Sequence, residues 1–379
     1  MSLTARLDVQ DHQLLPALRT FFKAVLADDE VSAIFLPRRL PMQDTVMPAL
    51  VSDPALLDEA NPLAPAFPLN SARLVARLTR GEPQSRVVAV LRPCEIRAFI
   101  ELVKLHQGRT ESVLTIGIDC LGAFQNTAFA QYAAGDPDES AERFCRQRLS
   151  DPSDAALDAQ LAPACRACEH PVAEEADLVI GLFGINADDH LPVSAQSDAG
   201  EALLERLGLP ETVVSPEREQ VVAAVKAGRI DFRDRMFAET REATGSLEKL
   251  NQYLAGCVNC YNCRVACPVC YCRECVFNSD QFDHEPVRYL RWAARKGAIK
   301  MPTDTVFYHL TRLAHMSTAC VGCGQCSNAC PNDIPVMELF RTVAHRTQNA
   351  FGYAAGHQVD QPPPLTVFRE DEFQEVVGL

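Results

Sequence analysis

Two stretches of this chain repeat one pattern of thiols. Cys257-x2-Cys260-x2-Cys263-x3-Cys267-Pro268 is matched further on by Cys320-x2-Cys323-x2-Cys326-x3-Cys330-Pro331. Thiolates at this spacing ligate [4Fe-4S] clusters: three on a tight loop hold three iron corners, and the cysteine before proline serves the other cluster. The pattern predicts one ligand set of Cys257, Cys260, Cys263 and Cys330, and a second of Cys320, Cys323, Cys326 and Cys267. Gly322 and Gly324 suit a backbone that wraps closely. Zinc is the alternative metal, but it usually takes two C-x2-C knuckles, and two full copies ending in Cys-Pro fit it poorly. A zinc-stapled scaffold is therefore the remote reading.

The first run continues as Cys270-Tyr271-Cys272-x2-Cys275. These three thiols are open to several roles: a further metal site shared with Cys267, half of a zinc site, or buried packing. A dispersed set lies upstream at Cys94, Cys120, Cys165 and Cys168. Either it is a four-thiolate site for a third [4Fe-4S] cluster or its members are structural thiols. Cys145, in an acidic stretch, reads as an exposed spectator.

Elements must carry these residues to one place. Arg86–Leu91 is apolar and β-branched, a buried-strand pattern. It ends at Arg92-Pro93-Cys94, and Glu95–His106 follows with helical spacing. Val113–Ile118 is a second such strand, with Cys120 in its turn, and Asp177–Phe183 a third. Val31–Leu36 adds a short strand. Asp11–Ala27 and Asn70–Leu78 read as helices, the stretch up to Pro68 as irregular, and Asp136–Asp158 as a surface excursion. Alternating strands and helices predict a mostly parallel α/β sheet, whose ligands sit beyond the strands' carboxyl ends. Cys94 and Cys120 occupy that edge. Glu201–Gly228 is helical, and Glu239–Leu254 is a helical linker. No strand pattern follows Gly256. Pro286–Lys296, stopped by Gly297, Thr303–Met316 and Val336–His345 read as helices, and the Pro362–Pro364 tail as extended. His309, His315 and Trp292 read as packing or surface residues. The boundaries are an α/β domain over 1–235, a linker helix over 236–255, a mainly α domain over 256–352 and a tail over 353–379.

Composition narrows the function. Thirty-six Lys and Arg stand against 50 Asp and Glu, a net charge of −14. That argues against nucleic acid, whose phosphates call for surplus cations. No apolar run reaches the roughly 20 residues of a membrane helix. No secretory signal is visible at Met1–Gln10. So many cysteines in a long chain without such a signal point to metal or redox chemistry in the cytoplasm, not disulfides. No G-x-G-x-x-G follows the first strand. Arg92, Glu95 and Arg97, at the start of the helix after it, are the candidates for contacting a phosphate or a flavin.

Two resemblances follow from these motifs. Residues 256–352 resemble the helical ferredoxin domains of succinate dehydrogenase and of heterodisulfide reductase. Leu91-Arg92-Pro93-Cys94-Glu95-Ile96-Arg97, Ile116-Gly117-Ile118-Asp119-Cys120 and Cys165-Arg166-Ala167-Cys168 followed by Ala176–Gly181 occur in the order of the beta subunit family of coenzyme F(420)-reducing hydrogenases and related formate dehydrogenases. That likeness covers about residues 10–190. It implies a [4Fe-4S] cluster and FAD in the α/β domain, passing electrons between a two-electron donor and iron–sulfur carriers. The chain departs from the family with Gly181-Leu182-Phe183-Gly184 in place of Gly-Asp-x-Gly, and with its dicluster module at the carboxyl end. The expectation is an iron–sulfur electron-transfer subunit of a cytoplasmic hydrogenase, formate dehydrogenase or heterodisulfide reductase type complex in anaerobic metabolism. Its donor would be coenzyme F(420), NAD(P)H or ferredoxin. The alternative is an electron wire with neither flavin nor substrate site.

Overall fold

The structure is a computed structural model that describes residues 3–40, 45–81, 86–133, 135–152, 154–272, 274–279, 285–296 and 304–367. The expected helix stop at Gly297, the side chain of Trp292 and residues 368–379 of the tail lie outside the described set. Strands are β1 (Thr4–Asp8), β2 (Val31–Arg39), β3 (Val46–Val51), β4 (Arg86–Leu91), β5 (Val113–Ile118), β6 (Leu178–Ile180) and β7 (His190–Ala195). Helices of the first half are α1 (Leu14–Leu26), α2 (Ala72–Leu78), α3 (Pro93–Lys104), α4 (Asn126–Ala133), α5 (Pro137–Ser150), α6 (Ala155–Gln160), α7 (Pro163–Arg166) and α8 (Asp198–Leu207). Then come α9 (Glu217–Thr244), α10 (Leu247–Tyr253), α11 (Asn262–Ala266), α12 (Pro286–Lys296), α13 (Asp304–Met316), α14 (Gln325–Asn328) and α15 (Val336–Ala350).

The strands form one seven-stranded sheet in the order β1-β7-β6-β5-β4-β2-β3. Its middle is parallel: β2 beside β4, β4 beside β5, β5 beside β6. The four strands legible in the sequence are these four. The antiparallel edges β3, β7 and β1 carry weaker signals, interrupted by Pro48 and Pro192 or only five residues long. Alternation along the middle strands fills both faces. Ile34, Leu36, Val88 and Val90 join α1, α5 and α8 in one core. Phe35, Ala89 and Leu91 join α2, α3 and the cysteine-rich half in the other. The two halves therefore share one apolar core.

Two expectations change. The acidic stretch Asp136–Asp158 is not an excursion. Asp136 and Asp154 cap α5 and α6 through their side chains, and α5 buries Phe144 and Cys145. Cys145 is thus a core thiol, 1% exposed, because the narrow apolar face of α5 is hidden among charges in the sequence. The helix expected over Glu201–Gly228 breaks between α8 and α9, where Pro210 and Pro216 stand. After that break α9 runs unbroken for 28 residues, about 42 Å at 1.5 Å per residue, through the expected boundary at 235/236. The tail, whose extended pattern allows it to lie on this protein or on a partner, begins on this protein: Tyr353 and Ala355 are buried against α3.

Candidate metal centres

The first loop turns sharply at Asn259 and Tyr261, both at positive φ, and leads Cys263 into α11. Cys257, Cys260, Cys263 and Cys330 line one cavity. Burial raises the Cys257 thiol pKa, and Cys263, Cys260 and Cys330 raise it further. The long-range member is the cysteine before proline, as the spacing predicts. What the sequence does not signal is the cover over this group. It comes from α13, inside the insertion between the cysteine runs. Tyr308 Oη lies 3.3 Å from Cys263 Sγ, His309 Nε2 lies 3.5 Å from Cys257 Sγ, and Arg312 Nη1 donates to Cys263 Sγ at 3.1 Å. All three side chains are buried. His309, expected only to pack, therefore also touches a thiol, and burial followed by Arg312 holds its pKa down at about 4. His315 is exposed.

The second loop gathers Cys320, Cys323, Cys326 and Cys267. The pKa values of Cys320, Cys323 and Cys326 are raised by burial, and Cys267 raises each of them further. Gly324, at φ +79°, is where the loop meets the first half, and a Cβ there would come within 2.4 Å of the Ala164 Cβ on α7. Gln325 and Asn328 donate to the Phe67 carbonyl at 2.9 and 3.1 Å.

The dispersed cysteines also converge. Burial pushes Cys165 up to about 12, with Cys120 and Cys168 adding to it. Cys94 is raised well above its ordinary value by burial, then by Cys323, Glu95, Cys120 and Cys168. Arg92 lies among them, its Nη1 3.7 Å from Cys120 Sγ and its Nη2 donating to the carbonyls of Ala64 and Ala66.

The three groups of four thiols follow one another: the Cys94 group adjoins the Cys320 group, which adjoins the Cys257 group. Cys94 neighbours Cys323 across the junction of the two halves. Arg312 joins the other two groups: burial disfavours its charge, but Cys263, Cys267, Tyr308 and Cys326 outweigh that and raise its pKa. The middle position belongs to the Cys320 group. A buried Arg341 also stands between that group and the first half, interacting with Glu169, Cys168 and Cys320.

Burial disfavours the thiolate form of these cysteines, and a coordinated metal is what would ionise them. Four-thiol donor sets in mostly enclosed, Arg-flanked surroundings fit [4Fe-4S] clusters. Among the described residues, no three His, Cys, Asp or Glu side chains close on a point that a single metal ion would occupy. Cys270 neighbours Cys267 and Cys272, and its pKa rises to about 11, chiefly by burial. Cys272 is exposed and Cys275 half-buried.

The other sequence candidates are held by protein groups. Glu95 accepts from the backbone N–H of Arg92 at 2.9 Å and of Ser71 at 2.8 Å. Arg97 donates to the Ala355 carbonyl at 2.7 Å and the Val321 carbonyl at 3.3 Å. The cavity beside Arg92 and Cys120 holds only about 30 Å³, whereas ligand pockets typically hold a few hundred Å³ or more. A flavin does not fit that cavity as it stands. Among the described residues, no helix is long and apolar enough to cross a membrane.

Two stretches of the chain match known families. Residues 84–213 match the family described as the C terminus of the coenzyme F420 hydrogenase/dehydrogenase beta subunit. Residues 253–334 match the 4Fe-4S dicluster domain. The F420-dependent formate dehydrogenase subunit beta of Methanocaldococcus jannaschii is 26% identical over 379 residues, covering 93% of this chain and 94% of the relative. The F420-dependent formate dehydrogenase 1 subunit beta of Methanococcus maripaludis is 25% identical over 311 residues, covering 74% and 76%. A chain of the F420-reducing [NiFe] hydrogenase complex from Methanosarcina barkeri aligns with TM-score 0.46 and 12% identity over 65% of this chain and 94% of that one. The chain thus combines a stretch similar to the coenzyme F420 hydrogenase/dehydrogenase beta subunit family with one similar to the 4Fe-4S dicluster domain.

Proposed function

We propose that this chain is the iron–sulfur electron-transfer subunit of an F420-dependent formate dehydrogenase or hydrogenase type complex. Its ligand sets are Cys257, Cys260, Cys263 and Cys330; Cys320, Cys323, Cys326 and Cys267; and Cys94, Cys120, Cys165 and Cys168. The observation that carries the reading is the succession of thiol groups, with the Cys320 group between the other two. A [4Fe-4S] cluster supplies one-electron chemistry, at a potential set by burial and by hydrogen bonds to its sulfurs. The chain's own residues supply the rest. Tyr308, His309 and Arg312 contact the Cys257 and Cys263 thiols of one group and cover that side of it, while Cys260 stays exposed. Arg92 and Arg341 place positive charge beside the thiols of the other two.

Electrons would enter or leave at the α/β domain, which carries the family likeness, and cross the Cys94–Cys323 junction. The partners are the other subunits of such a complex, and the exchange partner is coenzyme F420, NAD(P)H or ferredoxin. Cys270, Cys272 and Cys275 are candidates for a fourth site. The test is metal analysis and EPR on anaerobically purified protein. We expect about twelve irons per chain and magnetically interacting [4Fe-4S] signals, or about sixteen with the fourth site filled. Stoichiometric zinc without iron would end this reading.

A further inference from the structure

We propose that the pocket between α2 and the loop after α11 binds a small organic anion carrying phosphate or several carboxylates. It holds about 420 Å³, the size of a small-molecule site. Arg73, Arg77 and Arg80 reach it from α2 and its carboxyl end, and Arg264 from α11. The protein carries a net charge of −14, so four guanidiniums around one concavity run against its overall balance. Among the described residues, none of the four is in an ion pair with a carboxylate.

Their few bonds are to neutral groups. Arg73 Nη1 donates to the Val265 carbonyl at 3.1 Å, and Arg80 Nη2 lies 3.5 Å from Gln107 Oε1. Arg264 Nε is buried with no hydrogen-bond partner, which costs free energy unless something accepts from it. Guanidinium forks match phosphate and carboxylate oxygens in pairs. Ala76, Leu102 and Tyr271 give the same pocket an apolar side, so the ligand has an apolar or aromatic body beside its charge. The concavity favours a small molecule over the acidic face of a protein. Cys270 and Cys272 form one wall, which sets the ligand beside the thiol next to Cys267.

The test is isothermal titration of the full chain, purified anaerobically, with pyrophosphate and with citrate as separate probes. Arg77 and Arg80 are exposed, so the double variant Arg77→Gln/Arg80→Gln should fold. An unchanged thermal midpoint checks this. We expect at least one probe to bind at one site, at least tenfold weaker in the double variant and unchanged in Arg241→Gln, a charge loss at an exposed position of α9. Pyrophosphate alone binding assigns a phosphate ligand, and citrate alone a polycarboxylate. The proposal is overturned if neither binds, if the double variant binds both as well as the parent, or if Arg241→Gln weakens binding equally. The measurement reads affinity, not electron transfer, so it is independent of the function proposed above.

Discussion

Arg312 Nη1 lies 3.1 Å from Cys263 Sγ, and its Nη2 lies 3.2 Å from the carbonyl oxygen of the same residue. The guanidinium is buried and also senses Cys267 and Cys326 of the neighbouring group. A charge held there favours the reduced, more negative state of anything bound by either set of thiols. Arg312→Met should lower the reduction potential of the Cys257 group most and that of the Cys320 group less. A hydrogen bond to a charged group contributes about 1.5–3 kcal/mol, on the order of 100 mV for one electron. A redox titration followed by EPR reads both shifts. Equal potentials in variant and parent would mean the arginine is only packing.

The crossed ligand sets predict a specific exchange of losses. Cys330→Ser should empty the group on the first cysteine run, and Cys267→Ser the group on the second. Each variant should lose about four irons. Had each run held its own fourth ligand, the two EPR phenotypes would swap.

Gly324 marks where the second cysteine loop touches α7. Gly324→Ala adds the strain of a left-handed backbone, about 1–2 kcal/mol, and drives a methyl into Ala164, typically another ~1–3 kcal/mol. The thermal midpoint should fall by several degrees. Gly81→Ala is the control, since a Cβ at Gly81 meets nothing within 4 Å, and its midpoint should match the parent.

Glu101, fully buried, accepts from Tyr353 Oη at 2.5 Å and from the Gly356 backbone N–H at 2.7 Å, with Lys104 Nζ at 3.5 Å. Glu101→Ala would take the counter-charge from the Lys104 ammonium, which keeps only the Tyr353 hydroxyl and the His357 carbonyl, and would leave the two donors unpaired, a loss of about 3–5 kcal/mol for breaking a buried pair. Limited proteolysis should then cut the chain after Phe351 at enzyme levels that leave the parent intact.

The ligand sets proposed for the two cysteine runs can be read in the sequence because cluster ligation calls for fixed short spacings and a proline after the fourth cysteine, a pattern that needs no structure to be seen. The parallel strands are legible because each buries both faces. The cover of the first group is not: Tyr308, His309 and Arg312 sit on an ordinary amphipathic helix, and a hydrogen bond to a distant thiol leaves no periodic trace. The burial of Cys145 is hidden because the apolar residues of α5 are scattered among charges. The docking of the tail is hidden because its anchor, Arg97, lies 258 positions away from Ala355, beyond the reach of any local pattern.

That anchor has a consequence in time. Arg97, Glu101 and Lys104 meet partners at residues 353–357 that lie 252 to 258 positions further along the chain. During synthesis this face of α3 therefore remains open, with its charges in water, until residues 353–357 have followed it out of the ribosome. A chain cut before residue 353 would leave Arg97, Glu101 and Lys104 without these partners.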